Sequence, residues 1–142
     1  MKAHYTFIDH TADVLFEAEA PTLEGLFEQC ALALEETQVD ISSIKGNQEI
    51  TITGKNKTID KLLFDFLDDL VFHKDADLLI FNKFKIKITE ITDGYELECK
   101  AKGDILDHKK HGPKVDVKAI TMHMFEVKKI RGGWRAKVLI DI

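Results

Sequence analysis

The stretch KFKIKITEITDGYELECKAKG, residues 83–103, decides the fold. On either side of Thr92-Asp93-Gly94 the apolar residues recur at every second position: Phe84, Ile86 and Ile88 before it, Leu97, Cys99 and Ala101 after it. A period of two puts alternate side chains on opposite faces of a strand, and Asp-Gly between two such runs favours a tight hairpin turn. Strands joined this closely pair antiparallel, because a parallel crossover needs a dozen or more residues.

The alternation continues outward. KVDVKAITMHMFEVKKI (114–130) and WRAKVLIDI (134–142) are linked by Arg131-Gly132-Gly133, and DVLFEAEA (13–20) and QEITIT (48–53) come earlier. Two segments break the pattern with steps of three and four. In TLEGLFEQCALALEET (22–37), Leu23, Leu26, Phe27, Cys30, Ala31 and Leu34 share one face, with Thr22 placed to cap the helix. In TIDKLLFDFLDDLVFHKD (58–75), Ile59, Leu62, Leu63, Phe66, Leu67, Leu70 and Val71 form the apolar stripe, and Asp60, Lys61, Asp65, Asp68 and Asp69 the wet side. The expectation is an α+β fold: a mainly antiparallel or mixed sheet with two amphipathic helices packed on it. At 142 residues it fits one domain, 1–142, without repeats or low-complexity segments.

Composition narrows the function. The chain is 44% hydrophobic and 32% charged with two prolines, the profile of a globular protein. Twenty-five acidic against 20 basic residues give −5, which argues against strong independent nucleic-acid binding and suits a cation or a protein partner. No apolar run approaches the length of about 18 residues needed to span a bilayer, and the N-terminus lacks a signal-peptide layout. The expected location is therefore cytoplasmic, with no membrane association. Cys30 and Cys99 read as reduced core thiols. GxxxxGK[ST], GxGxxG, HExxH and CxxC are all missing, and the only serines, Ser42 and Ser43, occupy no nucleophile elbow. A covalent enzyme is not expected.

The candidate chemistry gathers at the ends of strands. In FIDHTADVLF (7–16), Asp9, His10, Thr11 and Asp13 crowd in front of an apolar run. A turn explains some of this, since Asp and Thr bond readily to nearby backbone amides. Asp141 ends the last strand on the face opposite Trp134, Ala136, Val138 and Ile140, with the terminal carboxylate of Ile142 beside it. If the first and last strands are neighbours, Asp13, Asp141 and that terminus offer the hard oxygen donors that Ca²⁺ or Mg²⁺ prefers. Solvated or capping aspartates are the plainer reading. Lys118 shares a face, by alternation, with Ile120, Met122 and Met124, so its stem should lie on apolar side chains with its ammonium seeking a carboxylate. A snorkelling edge lysine reads equally well. His108 and His111 lie in DHKKHGPK, where a solvated turn is the ordinary reading and a metal pair the sharper one.

HTADV, the two helices, Gly103-Asp104 followed by DHKKH, VDVKAIT and the terminal WRAKVLIDI together resemble the archease family from end to end. The resemblance implies a non-catalytic accessory protein for the GTP-dependent RNA ligase that joins 3′-phosphate or 2′,3′-cyclic phosphate ends to 5′-hydroxyl ends in tRNA splicing and RNA repair. Such a protein promotes guanylylation of the ligase histidine, permits multiple turnover and broadens nucleotide use. It also implies a metal site at Asp13 and Asp141 with Ile142, holding Ca²⁺ (Mg²⁺ or Mn²⁺ as alternatives). Lys118 is a further functional position, and His10 and His111 serve as supporting or partner-contact residues. Asp9, His10 and Thr11 would then shape the turn holding Asp13 through local side-chain bonds. Two departures stand out: Phe64-Asp65-Phe66-Leu67 where the family pattern has an acidic residue and a Trp, and Met122 where it has a Tyr. A general chaperone or modulator of RNA-modifying enzymes and a metal-dependent phosphoester hydrolase are the competing readings.

Overall fold

The computed structural model describes residues 1–142. Along the chain run β1 (His4–Ile8), β2 (Val14–Ala20), α1 (Leu23–Gln38), a 3₁₀ turn (Ile41–Ser43), β3 (Gln48–Asn56), α2 (Ile59–Asp77), β4 (Leu79–Ile91), β5 (Gly94–Ile105), β6 (Ala119–Ile130) and β7 (Gly133–Asp141). The α+β reading holds, and every strand pairing is antiparallel. The strands form two sheets rather than one, in the orders β1-β2-β7-β6 and β3-β5-β4.

The hairpin forms where the alternation placed it. Ile91 pairs with Gly94, so Thr92 and Asp93 make the turn and Gly94 begins β5. A side chain cannot follow there: a Cβ on Gly94, at φ +147°, would sit 2.3 Å from the Asn56 carbonyl oxygen. Thr22 caps α1, its Oγ1 accepting from the Gly25 N–H at 3.0 Å. α2 ends on Leu78 in the left-handed conformation at φ 58°, whose N–H reaches the His73 and Lys74 carbonyls.

Both helices touch both sheets: α1 packs on β2 and β7 of one and β4 of the other, α2 on β3, β4 and β5 and on β6. The apolar stripe of α2 is buried as predicted at Leu62, Leu63, Phe66, Leu67, Leu70 and Val71. Each such side chain contributes roughly 1.5–3 kcal/mol by leaving water. They join α1 and both sheets in one core of 27 buried residues, Cys30 and Cys99 included. Burial raises both thiols, Cys99 to about 12, so neither is a nucleophile at neutral pH. No helix is long and apolar enough to cross a membrane.

Two elements differ from the sequence reading. β1 is an added edge strand, mostly exposed, whose weak burial leaves little alternation to detect. β6 begins at Ala119, not Lys114, because the preceding backbone bonds elsewhere: the Lys114 N–H donates to the Gln38 carbonyl at 2.8 Å. β6 also bulges. Thr121 pairs with Leu139 and Glu126 with Lys137, so residues 122–125 oppose Val138 alone.

Candidate functional site

β2 and β7 pair with Val14 opposite Ile140 and Leu15 opposite Leu139. β2 begins at Val14, so Asp13 lies in the bend just before it, near the end of β7 that Asp141 closes, and β6 adds Ala119 across from Asp141. The expectation that first and last strands are neighbours is met through β2, with β1 outside it. In β7, Ala136, Val138 and Ile140 are buried in the core, and Asp141 takes the opposite face with Leu139, Lys137 and Arg135.

Of the charges on that face, Arg135 is paired. Arg135 donates through Nε and Nη2 to Glu19 Oε2 at 2.7 Å each, and Lys137 lies opposite Glu17. Lys137, Asp13 and Asp141 enter none of the molecule's salt bridges. Asp13, Asp141 and Ile142 are half-buried, and the oxygen donors they carry are of the type a hard divalent ion takes. No three His, Cys, Asp or Glu side chains gather as a metal cage, so remaining ligands would come from the Ile142 terminus, backbone carbonyls or water.

Lys118 stands beside this end, its N–H donating to the Asp141 carbonyl at 2.9 Å. Its side chain, however, is exposed and joins no salt bridge, against the expectation of an apolar bed and a carboxylate partner. Alternation fails for two physical reasons: Lys118 precedes β6, and the bulge turns Met122 and Met124 outward, leaving them 60% and 40% exposed. Met124 adopts φ +60°, uncommon for a residue with a side chain. His10, Asp9 and Thr11 are exposed, and no side-chain hydrogen bond fastens them to the turn before β2. The β1–β2 pairing, with Ile8 opposite Leu15, holds that turn instead.

His111 is neither solvated nor at the aspartate pair. It is 2% exposed; its Nδ1 accepts from the Asp107 N–H at 2.9 Å, which leaves Nε2 to donate to Asp104 at 3.0 Å. Asp104 also accepts from the backbone N–H groups of Lys45, Gly46 and Asn47 at 2.7, 3.1 and 3.1 Å. Desolvation pushes its carboxyl up, but these donors together outweigh that and hold it at about 2. The pair is a clasp between the loop after β5 and the segment entering β3. His108 is exposed.

Sequence reasoning missed two buried titratable side chains. Lys74, 5% exposed, donates to Asp116 Oδ1 and to the Val117 carbonyl at 2.7 Å each. Val117 precedes Lys118, so α2 is tied by this lysine to the segment that delivers Lys118 to Asp141. Glu35, fully buried, accepts from the Phe81 N–H at 2.9 Å and from Gln38 Nε2 at 2.8 Å, and burial pushes its carboxyl up to about 8. Both positions prolong an i+3/i+4 apolar stripe, Leu70-Val71-Lys74 and Ala31-Leu34-Glu35, which was the available signal.

The Archease protein family model matches residues 5–142. The chain belongs to the archease family. The archease of Pyrococcus furiosus is 38% identical over 140 residues, covering 98% of this chain and 96% of that one. The archease of Methanothermobacter thermautotrophicus is 37% identical over 140 residues, covering 97% and 98%. A solution structure of a Methanobacterium thermoautotrophicum protein superposes with a TM-score of 0.87 at 36% identity, covering 97% of this chain and 98% of that one. An archease from Thermotoga maritima, described as a possible chaperone, shares the fold at a TM-score of 0.66 and 20% identity, covering 95% of this chain and 94% of its own. Where the family pattern has its Trp, the α2 side chains point inward: Phe66 is 2% exposed between Phe27 and Phe84, and Phe64 meets Phe125 at 5.5 Å.

Proposed function

We propose that this archease is a non-catalytic, cytoplasmic activator, working as one domain, of the GTP-dependent RNA ligase of tRNA splicing and RNA repair. Its role is to promote guanylylation of the ligase histidine and so allow repeated turnover. The observation that carries the reading is the family match over nearly the whole chain.

Asp13, Asp141 and the Ile142 terminus would hold Ca²⁺, or Mg²⁺ or Mn²⁺, which would supply positive charge between carboxylates that otherwise repel. The chain's own residues orient that end: the Lys118 backbone fixes Asp141, and Lys74 fixes the backbone before Lys118. His10 and Lys118, both exposed, and the outward Met122 and Met124 make the partner-facing surface. Strain such as that at Met124 is stored where a function repays it. His111 supports this end only at a distance, by clasping its loop to Asp104.

The test is incorporation of labelled GMP into the cognate ligase with and without the protein. Faster labelling with wild type, lost in Asp141→Ala of unchanged fold, supports the reading. Equal labelling by that variant removes the role of Asp141. A general chaperone, the description given to the Thermotoga maritima relative, would instead suppress aggregation of unrelated clients and leave labelling unchanged. Phosphoester cleavage by the protein alone would favour the hydrolase.

A further inference from the structure

The β3-β5-β4 sheet buries Ile52, Leu97, Cys99, Ala101 and Phe84 against the helices and turns its other face to solvent. On that outer face the charges are sorted along the strands. At one end unlike charges stand directly across from each other: Lys87 opposite Glu98 and Lys55 opposite Glu96. At the other end like charges do: Lys83 opposite Lys102 and Lys85 opposite Lys100. All four of these lysines are exposed. Side chains directly opposite leave a sheet roughly 5 Å apart, and successive ones on one face roughly 6.8 Å apart, so the four stems rise from one small square.

Like charges in facing positions weaken a sheet, and the chain does little to offset them. β3 sets Glu49 beside Lys102, 3.9 Å away, but only Thr51 beside Lys100. Lys83, Lys85 and Lys100 join no salt bridge. The four lysines line a shallow depression of about 480 Å³ whose only carboxylates are Glu49 and, from α1, Glu28, so positive charge is in excess there although the whole chain carries −5. Lysines on an edge strand guard it against pairing with another chain. That accounts for Lys83 and Lys85 on β4, but asks nothing of Lys100 and Lys102 on the central strand β5.

We propose that this lysine square binds the sugar-phosphate backbone of RNA. A row of phosphates needs fixed positive charges and hydroxyl donors, which the lysines and Thr51 supply, and it needs no apolar anchor. A protein interface or a membrane surface does need one, and none of the molecule's exposed large apolar side chains stands in this square. No aromatic ring is exposed there for a base to stack on, so the contact is blind to sequence. The choice of RNA among polyanions rests on the ligase reading. The square lies on the other sheet from Asp13 and Asp141, which leaves that end free for the ligase while this face holds the substrate strand. The acidic total keeps unaided affinity low and makes it steeply salt-dependent.

The experiment is fluorescence anisotropy of a short labelled single-stranded RNA titrated with the full chain, without ligase, over a series of salt concentrations. Four phosphate contacts predict a slope of log K against log salt of about −2.8. The double variant Lys85→Gln, Lys100→Gln should halve that slope and weaken binding about tenfold at about 0.15 M salt. Lys55→Gln with Lys87→Gln removes the same charge from the balanced end and should change affinity about twofold or less. Backbone amide shifts on adding RNA should centre on Lys83, Lys85, Lys100 and Lys102. No binding at low salt, or equal weakening by the two double variants, would overturn the site. Tighter binding of polyglutamate or of phosphatidylserine vesicles than of RNA would overturn the choice of ligand. Labelling of the ligase with GMP, measured on the same proteins, separates the two readings: stimulation without RNA binding sinks this inference alone, and RNA binding without stimulation sinks the ligase reading and, with it, the choice of RNA.

Discussion

Replacing Asp104 by Ala removes the acceptor of four donors at once: the backbone N–H groups of Lys45, Gly46 and Asn47 and Nε2 of His111. The three amides lie on a partly exposed segment and regain water. His111, 2% exposed, does not, and its stranded N–H costs about 1–3 kcal/mol. With about 0.5 kcal/mol for each rehydrated amide, the total is about 3 kcal/mol, or a fall in Tm of roughly 10 °C for a chain this long. Urea unfolding at pH 7 measures it. The pH dependence gives a second reading. A carboxyl held at about 2 in the folded state, below its ordinary 3.8, stabilises the fold above the unfolded value and loses that contribution as pH falls through the folded one. The stability gap between wild type and Asp104→Asn should therefore be full above about pH 4 and close toward pH 2. A loss below about 0.5 kcal/mol in Asp104→Ala, or a gap constant from pH 5 to 2, would refute the clasp.

Glu35, held at about 8 by burial, is raised above its ordinary 4.5, so its contribution is present at low pH and lost as pH rises toward 8. Glu35→Gln should flatten that decline in a series of melts from pH 5 to 9. Lys74→Ala should cost about 2–4 kcal/mol in urea unfolding, because it opens a void and strips the Val117 carbonyl, and Lys74→Met, which fills the void but strips the same carbonyl, about 1–3 kcal/mol. Calcium should raise the Tm of wild type, by the equivalent of about 2.7 kcal/mol at one hundred times Kd, and leave Asp13→Ala unmoved. In calcium-free buffer Asp13→Asn should match or slightly exceed wild type in stability, since the proposed site gathers like charges that no cation then screens.

The fold was legible wherever one side of an element is buried and the other wet. The β4–β5 hairpin and the α2 stripe satisfy that condition and were placed within a few residues. β1 has no buried residue, so no alternation marked it. The division into two sheets follows from helices that bury side chains against both, a long-range fact no local period carries. At the candidate site, strand alternation put Asp141 on its face, but the pairing of β2 with β7, which brings the start of β2 to the end of β7, joins residues more than a hundred positions apart. The apolar bed expected for Lys118 is missing because Lys118 lies before β6 begins and because a bulge, which leaves no period, turns Met122 and Met124 outward. His111 was misread because its loop is polar in sequence, while its partner Asp104 closes β5 and pulls the ring inward. Lys74 and Glu35 show the converse: charged residues on an apolar stripe are signals of buried pairing.

The account rests most on the activating role of the end that carries Asp13 and Asp141. The measurement is RNA joining by the cognate ligase held below substrate concentration with GTP, with no addition, with this protein, and with its Asp13→Ala and Asp141→Ala variants of verified fold. Product well beyond one equivalent of ligase with wild type alone is the predicted result. Joining that stays at one equivalent in every reaction, or that all three forms stimulate alike, would contradict it.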